Sequence, residues 1–523
     1  MKANDEITLF QFNGFDMEQY VTLYRDSICE KAVTEFKPFI PMADFRYEHG
    51  QIDKQEWQKQ KAKEAEMSKG EIVHQKAKLG VLKATDKIVD KCVYLQDAII
   101  RRATSRKGTM TFSLSSKILK SVVGHEYKRM IEVLIQMGYI KLGSDYATDA
   151  VTKYYYYSYG KYSTLYTLIN EDFITITTTN RAIIEYKERT KNEYEKMKQL
   201  AVDEVTSRYG QSFTENYITS LRKIHIEDEE SFNSFCEKRI KENPNTEYYY
   251  RYLYSALNDK NKSINKIDAS GRIYTCLTNL DRELKQYLNI DFMLDCKNSH
   301  PLLFNYFIFN YYNISPFIAY KTTICLKSLF IPNTSLHNVG KILNNQLKDN
   351  NLDFCRFADD ELYYIYLTSR GELWDDIAAK HPEMTRSEVK VRMFQEVFYS
   401  NTPYAYHWKQ YAVEFKQQFP SVYKLIGEWK KAKQTPSVKA YMDGHNLITS
   451  KPTSSLSLAM MNLEAQIFTE ILKRLYKKRW NAVHIHDCIV IPKDGNKNHP
   501  TQEQVKEIME EVYKEYGLSP SFG

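Results

Sequence analysis

Apolar and polar positions follow two different rhythms along this chain. Up to about residue 258 the apolar residues recur at helical spacing within heavily charged stretches. From Lys54 to Lys78, Glu, Lys, Gln and Ala dominate without a proline, which predicts a solvated helix. Ser115 to Val123 predicts a short helix and Gly124 a break. His125 to Met137 then predicts a second helix, with Met130, Ile131, Leu134 and Met137 as its apolar face. Gly138 ends it, Tyr139 to Leu142 predicts a strand, and Tyr154 to Tyr157 with Tyr166 to Ile169 predicts a hairpin around Gly160. Tyr186 to Lys241 continues as amphipathic helices with dense charge. Asn243-Pro244-Asn245 interrupts it, and the polar run Asn258 to Asn265 predicts a boundary.

Helix, turn, helix and a two-stranded wing is the order of a winged-helix unit. Such a unit docks a helix in a DNA groove or serves as a protein contact. Beyond Asn265 the rhythm changes to short strands alternating with helices. Ile290 to Asp295 predicts a strand ending in a carboxylate, with Asn298, Ser299, His300 and Pro301 leading into a helix. Small and polar residues behind a strand-end Asp leave room for a metal-bound triphosphate, although an Asp or Asn before a helix also serves as its N-cap. Ala482 to Pro492 predicts two β-branched runs hinged on His486-Asp487. An acidic residue between apolar strands costs stability unless a cation meets it. The helix before this hairpin, Leu456 to Tyr476, is apolar at Leu463, Ile467, Ile471 and Leu475 and basic at its far end.

Between the two carboxylates lies Arg386 to Tyr399. Arg386, Lys390, Phe394 and Phe398 recur every fourth residue and predict one helical face with two cations followed by two rings. That order fits a nucleotide end to end, phosphates on the cations and sugar and base on the rings. The alternative is an amphipathic helix with Phe in the core and Arg and Lys in solvent. Upstream, Asp268-Ala269-Ser270-Gly271-Arg272-Ile273-Tyr274 sets a planar cation beside an aromatic after a turn, suited to a phosphate backbone.

Composition narrows the classes. The 523 residues exceed one domain, and 43% hydrophobic content excludes a disordered chain. A net charge of +7 is compatible with a nucleic-acid partner without requiring one. The 41 tyrosines can stack on bases, and they equally reflect AT-rich coding. Eight scattered cysteines without a C-x-x-C pair argue against zinc or a disulfide framework and favour a reducing compartment. The N-terminus lacks the apolar core of a signal peptide, and Pro301 to Ile314, broken by Asn305 and Asn310, is too short to span a bilayer. A soluble, cytoplasmic protein is expected. His484-Ile485-His486-Asp487-Cys488 does not supply the H-x-H-x-D-H of metallo-β-lactamases. Its β-branched flanks also differ from the helical pair of HD phosphohydrolases.

In order, Gly271-Arg272-Ile273-Tyr274, the strand-end Asp295, the Arg386/Lys390/Phe394/Phe398 helix and His486-Asp487 in a hairpin resemble the motif set of the single-subunit polymerase superfamily. That superfamily comprises family A DNA polymerases and phage-type single-subunit RNA polymerases. The resemblance covers residues 268 to 492, roughly the C-terminal half. It implies that Asp295 and Asp487 hold two Mg²⁺ ions and that Arg386 and Lys390 bind the triphosphate, with Lys390 also able to protonate the departing pyrophosphate. It further implies that Phe394, Phe398, Asn298 and His300 line the nucleotide site, and that Arg272, Tyr274 and His486 contact template or primer. The chain departs from the pattern in three places. His300 stands where the DNA polymerases carry a Glu gate, Cys488 follows His-Asp where they carry Glu, and Phe398-Tyr399 replaces a Tyr-Gly pair tied to sugar selection.

The expected fold is α+β and mostly helical. Four segments are expected: an N-terminal helical region (1–108), a winged-helix-like unit (109–170), a helical thumb-like region (171–260), and a palm with fingers (261–523, fingers about 310–440). The expected function is template-directed nucleotidyl transfer to a 3′-hydroxyl. DNA synthesis is favoured because no segment reads as a promoter-reading apparatus; none reads as a proofreading exonuclease either. The expected partners are a DNA template and primer and nucleoside triphosphates, with no membrane. A single-subunit RNA polymerase or primase is the alternative, and a non-catalytic DNA-binding regulatory protein the second. Oligomeric state is open.

Overall fold

The computed structural model describes residues 6–34, 52–65, 85–104, 111–142, 165–169, 173–278, 280–329, 336–350, 357–400, 402–431, 455–495 and 498–523. Helices dominate and the sheets are small, as the sequence patterning predicts. Two compact units form, one built from Met1–Ala147, Lys161–Tyr194 and Glu242–Tyr249, the other mainly from Glu195–Lys241 and Tyr250–Gly523. Among the described residues no helix is long and apolar enough to cross a membrane.

In the first unit, β1 (Ile7–Phe12) pairs antiparallel with β5 (Phe173–Thr178). A second sheet runs β2-β4-β3, from β2 (Thr111–Ser113), β4 (Leu165–Leu168) and β3 (Ile140–Leu142). The helices Ser116–Val122 and Tyr127–Gln136 stand between β2 and β3, the first capped by the Ser115 hydroxyl accepting the Ile118 amide. Gly124 and Gly138 adopt the positive φ that each break requires. The two helices, the break at Gly124 and the strands Ile140–Leu142 and Leu165–Leu168 fall where the sequence predicts them, whereas the turn at Gly160 lies outside the described residues. The pairing of the wing is different: β4 is flanked by β2 and β3, so both its edges are taken, and Tyr154 to Tyr157 lie outside the described residues. The 54–65 helix is largely exposed, as its composition predicts.

Asp97 anchors this unit. Fully buried on the Thr85–Thr104 helix, it accepts the Phe10 amide of β1 at 2.9 Å and Arg101 Nε at 2.7 Å, and it pairs with Lys187 of the Arg181–Tyr209 helix.

In the second unit the core is a long apolar helix, Ser299–Tyr311, with Leu302, Leu303, Phe304, Phe307 and Ile308 at 0% exposure. Helix Ser455–Lys477 lies on it and turns Leu463, Ile467, Ile471 and Leu475 inward, as predicted from their spacing. A two-stranded ribbon joins β6 (Lys266–Ile267) to β7 (Ile273–Tyr274). The central sheet runs β8-β10-β9, from β8 (Ile290–Asp295), β9 (Val483–Ile485) and β10 (Cys488–Pro492). β10 occupies the middle and all five of its residues are buried, which accounts for its unbroken apolar run.

Replacing Asp97 with Ala should remove the shared acceptor and lower the unfolding free energy by about 3 kcal/mol. Chemical denaturation would read this, and a change below about 0.5 kcal/mol would mean that the cluster is incidental to the unit's stability.

Candidate active site

Antiparallel register brings the two predicted carboxylates together. Cys488 of β10 pairs with Asp295 of β8 on one side and with Ile485 of β9 on the other. Asp487 sits in the two-residue turn beside that pair, and its carbonyl accepts the Cys296 amide at 3.0 Å. The turn closes because His486 takes a positive φ of 55°, which tight hairpins demand. Asp295 and Asp487, nearly two hundred residues apart in sequence, thus end on one edge of one sheet.

Neither carboxyl is electrostatically content. Burial, then the negative charges of Glu464 and Asp295, push the Asp487 carboxyl up to about 7, and Lys390 only partly opposes them. Burial also raises Asp295 against the pull of Lys390, Arg282 and Lys285. Lys390, on the Arg386–Met393 helix, therefore acts electrostatically on both aspartates. Thr385 starts this helix through a capping box, its hydroxyl accepting the Glu388 amide at 3.3 Å while Glu388 accepts the Thr385 amide at 2.8 Å. Arg282 and Lys285, from the turn Arg282–Tyr287, are cations that the motif reading passed over.

Behind the carboxylates lies a buried ionic knot. Glu464, on the Ser455–Lys477 helix, receives Arg272 Nε and Nη2 at 2.9 and 2.8 Å and lies 2.8 Å from His300 Nε2. Burial pushes its carboxyl up, but Arg272 and His300 outweigh burial and hold it down at about 2. Burial lowers His300, so its ring is neutral. With the proton on Nε2 it donates to Glu464, and with the proton on Nδ1 it accepts from Arg272 Nη2, 2.7 Å away. Either tautomer leaves Nδ1 bonded to the Tyr399 hydroxyl.

Several sequence expectations change here. Arg272 is not a free surface cation; its guanidinium is committed to Glu464. The Tyr274 hydroxyl bonds Asp268 at 2.9 Å, and its ring meets His486 edge-on at 6.0 Å. Arg386 forms an exposed ion pair with Asp375 at 2.7 Å. Phe398 lies deeper than Phe394, although the two rings still meet at 6.0 Å. It is 1% exposed and packs on Phe304, Trp374 and Phe415. The cause is a π-helical turn over Phe394–Phe398, closed by the Tyr399 amide bonding to the Phe394 carbonyl at 2.8 Å. One extra residue per turn carries Phe398 inward and brings Tyr399 round to stack on Phe394, with ring centroids 4.8 Å apart. Lys390 Nζ lies 6.0 Å from that same Phe394 ring.

Asn298 occupies the N-cap position of the Ser299–Tyr311 helix in a left-handed conformation, yet its side chain caps nothing. It is buried, and both its amide oxygen and its nitrogen lack a hydrogen-bond partner, as does the Ser299 hydroxyl. Polar groups orphaned this way are uncommon and mark strain or a binding role.

Glu464 is a further residue that the motifs did not single out, and Tyr399 entered only as a departure from the motif, without a place beside Phe394. Glu464 left a signal, since it interrupts an apolar face between Met460 and Phe468 at helical spacing. Tyr399 left none, because periodicity does not foretell a π turn. Among the described residues no group of three or more His, Cys, Asp or Glu is placed to hold a metal ion. Asp295 and Asp487 form a two-carboxylate set, and the third acid, Glu464, is neutralised by Arg272. No protein-family model matches the chain and no curated protein is significantly similar to it.

Asp487 titrates near 7 when folded against an ordinary value of 3.8. Between these values the folded form keeps a proton that the unfolded chain has lost, so stability falls as pH rises through that window. Asp487→Asn should therefore stabilise the metal-free protein by about 1–3 kcal/mol near pH 8, with the gain fading below about pH 5. Thermal melts at the two pH values test this; equal stability of variant and parent at the higher pH refutes it. Glu464→Gln should instead destabilise at both pH values, by about 3 kcal/mol, because Arg272 is left buried without its counter-charge.

Proposed function

We propose that this protein is a template-directed nucleotidyltransferase, a DNA polymerase that extends a primer 3′-hydroxyl and releases pyrophosphate. The observation that carries this reading is that strand register brings Asp295 and the Asp487 turn together at one end of the sheet, within the field of Lys390. In this reading the β8-β10-β9 sheet is the palm, the helices between about 310 and 440 are fingers, and those before Asn258 act as a thumb.

The donor set fits divalent cations. Two carboxyls at the strand end and the adjoining turn, both raised by desolvation and by Glu464, and Asp487 further by Asp295, which the surrounding lysines and arginine fail to offset, gain most from hard, doubly charged ions. Asp295 and Asp487 would hold two Mg²⁺ ions, which when bound supply Lewis-acid stabilisation to the attacking and departing oxygens. The chain's own groups do the rest. Lys390, exposed on its helix, takes triphosphate oxygens and can pass a proton to the departing pyrophosphate. Arg386 joins it by exchanging its exposed Asp375 partner, a pair worth no more than about 1 kcal/mol. Phe394 and Tyr399 present a stacked pair of rings to sugar and base, with Tyr399 oriented by His300 and His300 by Glu464. The Asn298 amide, two residues before His300, keeps its hydrogen bonds unspent.

The purified protein incubated with a primed DNA template, Mg²⁺ and either dNTPs or NTPs should extend the primer with dNTPs. Asp487→Asn should reduce extension by about a thousandfold or more while the protein stays folded. Undiminished extension by that variant would sink the assignment of the carboxylate, and selective use of NTPs would replace the DNA polymerase with an RNA polymerase.

A further inference from the structure

Beyond the π turn the chain does something that the nucleotide site does not require. Residues 402–409 run as an irregular segment toward the helix Gln410–Gln418 and carry Tyr404, Tyr406 and Trp408 at every second position. These side chains are 55%, 39% and 65% exposed, and Trp408 is the most exposed large hydrophobic side chain among the described residues. They are also ordered against each other. The Tyr406 and Trp408 rings stack with centroids 4.5 Å apart and planes within 5°, Tyr404 follows Tyr406 at 6.2 Å, and His407 meets Trp408 edge-on at 4.7 Å.

Core packing does not account for this ladder. Its neighbours Phe415 and Phe419 are buried, whereas the three ladder rings face water. The segment beneath them is nonetheless firmly held. Lys430, buried within the Pro420–Lys430 helix, donates to the carbonyls of Val397 and Thr402, and Lys409 donates to the Ser400 hydroxyl at 2.7 Å. Pro403 packs against Gly427, where even a methyl group would come within 3.4 Å of its carbonyl. A rigid base under solvent-exposed, mutually stacked rings is what a binding surface needs, because little ordering entropy remains to be lost. Cationic groups accompany the rings: Lys431 lies 4.8 Å over Tyr404, and Arg392 is exposed on the helix leading in. The nearby acid Glu396 is spent on the amides of Tyr411 and Ala412.

We propose that Tyr404, Tyr406 and Trp408 form a stacking platform for the unpaired bases of single-stranded DNA, with Lys431 contributing phosphate contact. The exposed outer face of the Tyr406–Trp408 stack, with Tyr404 tilted beside it, suits a base of any sequence, since every base offers a π-face. The ladder begins five residues after Tyr399, so a strand lying on it leads to the candidate nucleotide site. The choice of DNA rests on the polymerase reading; the stacking itself does not.

Binding of a fluorescein-labelled oligothymidylate, followed by anisotropy with the full-length protein in EDTA and without nucleotides, separates the two. Trp408→Ala and the double variant Tyr406→Ala/Trp408→Ala should weaken binding by about 5- to 100-fold while leaving the slope of affinity against salt unchanged, since stacking releases no counterions. Intrinsic tryptophan fluorescence should be quenched on binding in the parent protein, with much of that quenching lost in Trp408→Ala. The platform is overturned if the variants bind the oligonucleotide as tightly as the parent. It is equally overturned if a blunt duplex competes as well as the single strand, or if Trp408→Ala only dissociates a protein oligomer. A protein that fails to extend primers yet shows the Trp408-dependent binding keeps the platform and loses the polymerase.

Discussion

Glu464 is a charge that the fold buries and then uses. Its carboxylate joins three segments far apart in sequence: the turn at Arg272, the first turn of the helix carrying His300, and the helix on which it sits itself. Through His300 it reaches a fourth, the π turn ending at Tyr399. A charge taken out of water needs a partner of excellent geometry, and the two-pronged contact with Arg272 supplies it. Once paired, the knot fixes where β7, the Ser299–Tyr311 helix and the Lys390 helix stand around the sheet edge.

The same charge shapes the chemistry in front of it. Glu464 adds to the negative potential at Asp487 and, more weakly, at Asp295, so the carboxylate edge is held in a state that favours a cation. Stability is forgone at this edge rather than gained. Such local conflict in an otherwise consistent core is where binding and chemistry concentrate. The orphaned amide of Asn298, two residues before His300, and the π turn, whose Tyr399 bonds His300, are two further conflicts.

Much of this arrangement was legible beforehand because it depends on short-range patterns. The β-branched runs around His486-Asp487 predicted a hairpin, and the apolar spacing of Leu463, Ile467, Ile471 and Leu475 predicted the buried face of its supporting helix. The winged order of helices and strands between Ser115 and Leu168 followed from glycine breaks and apolar period. The errors were equally local. A strict four-residue repeat sets Phe398 beside Phe394, where its ring does lie, but a single π turn buries it and brings Tyr399 to stack on Phe394 as well. Nor does any local pattern reveal that Arg272 pairs with an acid 192 positions away.

By itself the amino-acid order determined which residues could become carboxylate, cation and ring, and which short elements would carry them, since propensity, capping and period act over a few residues. Tertiary structure alone decided which of those residues meet. Antiparallel register set Asp295 beside the Asp487 turn, burial of Glu464 claimed Arg272 and His300, and the π turn brought Tyr399 onto Phe394. Long-range pairing and desolvation arise only when distant segments pack, and no reading confined to neighbouring residues contains them.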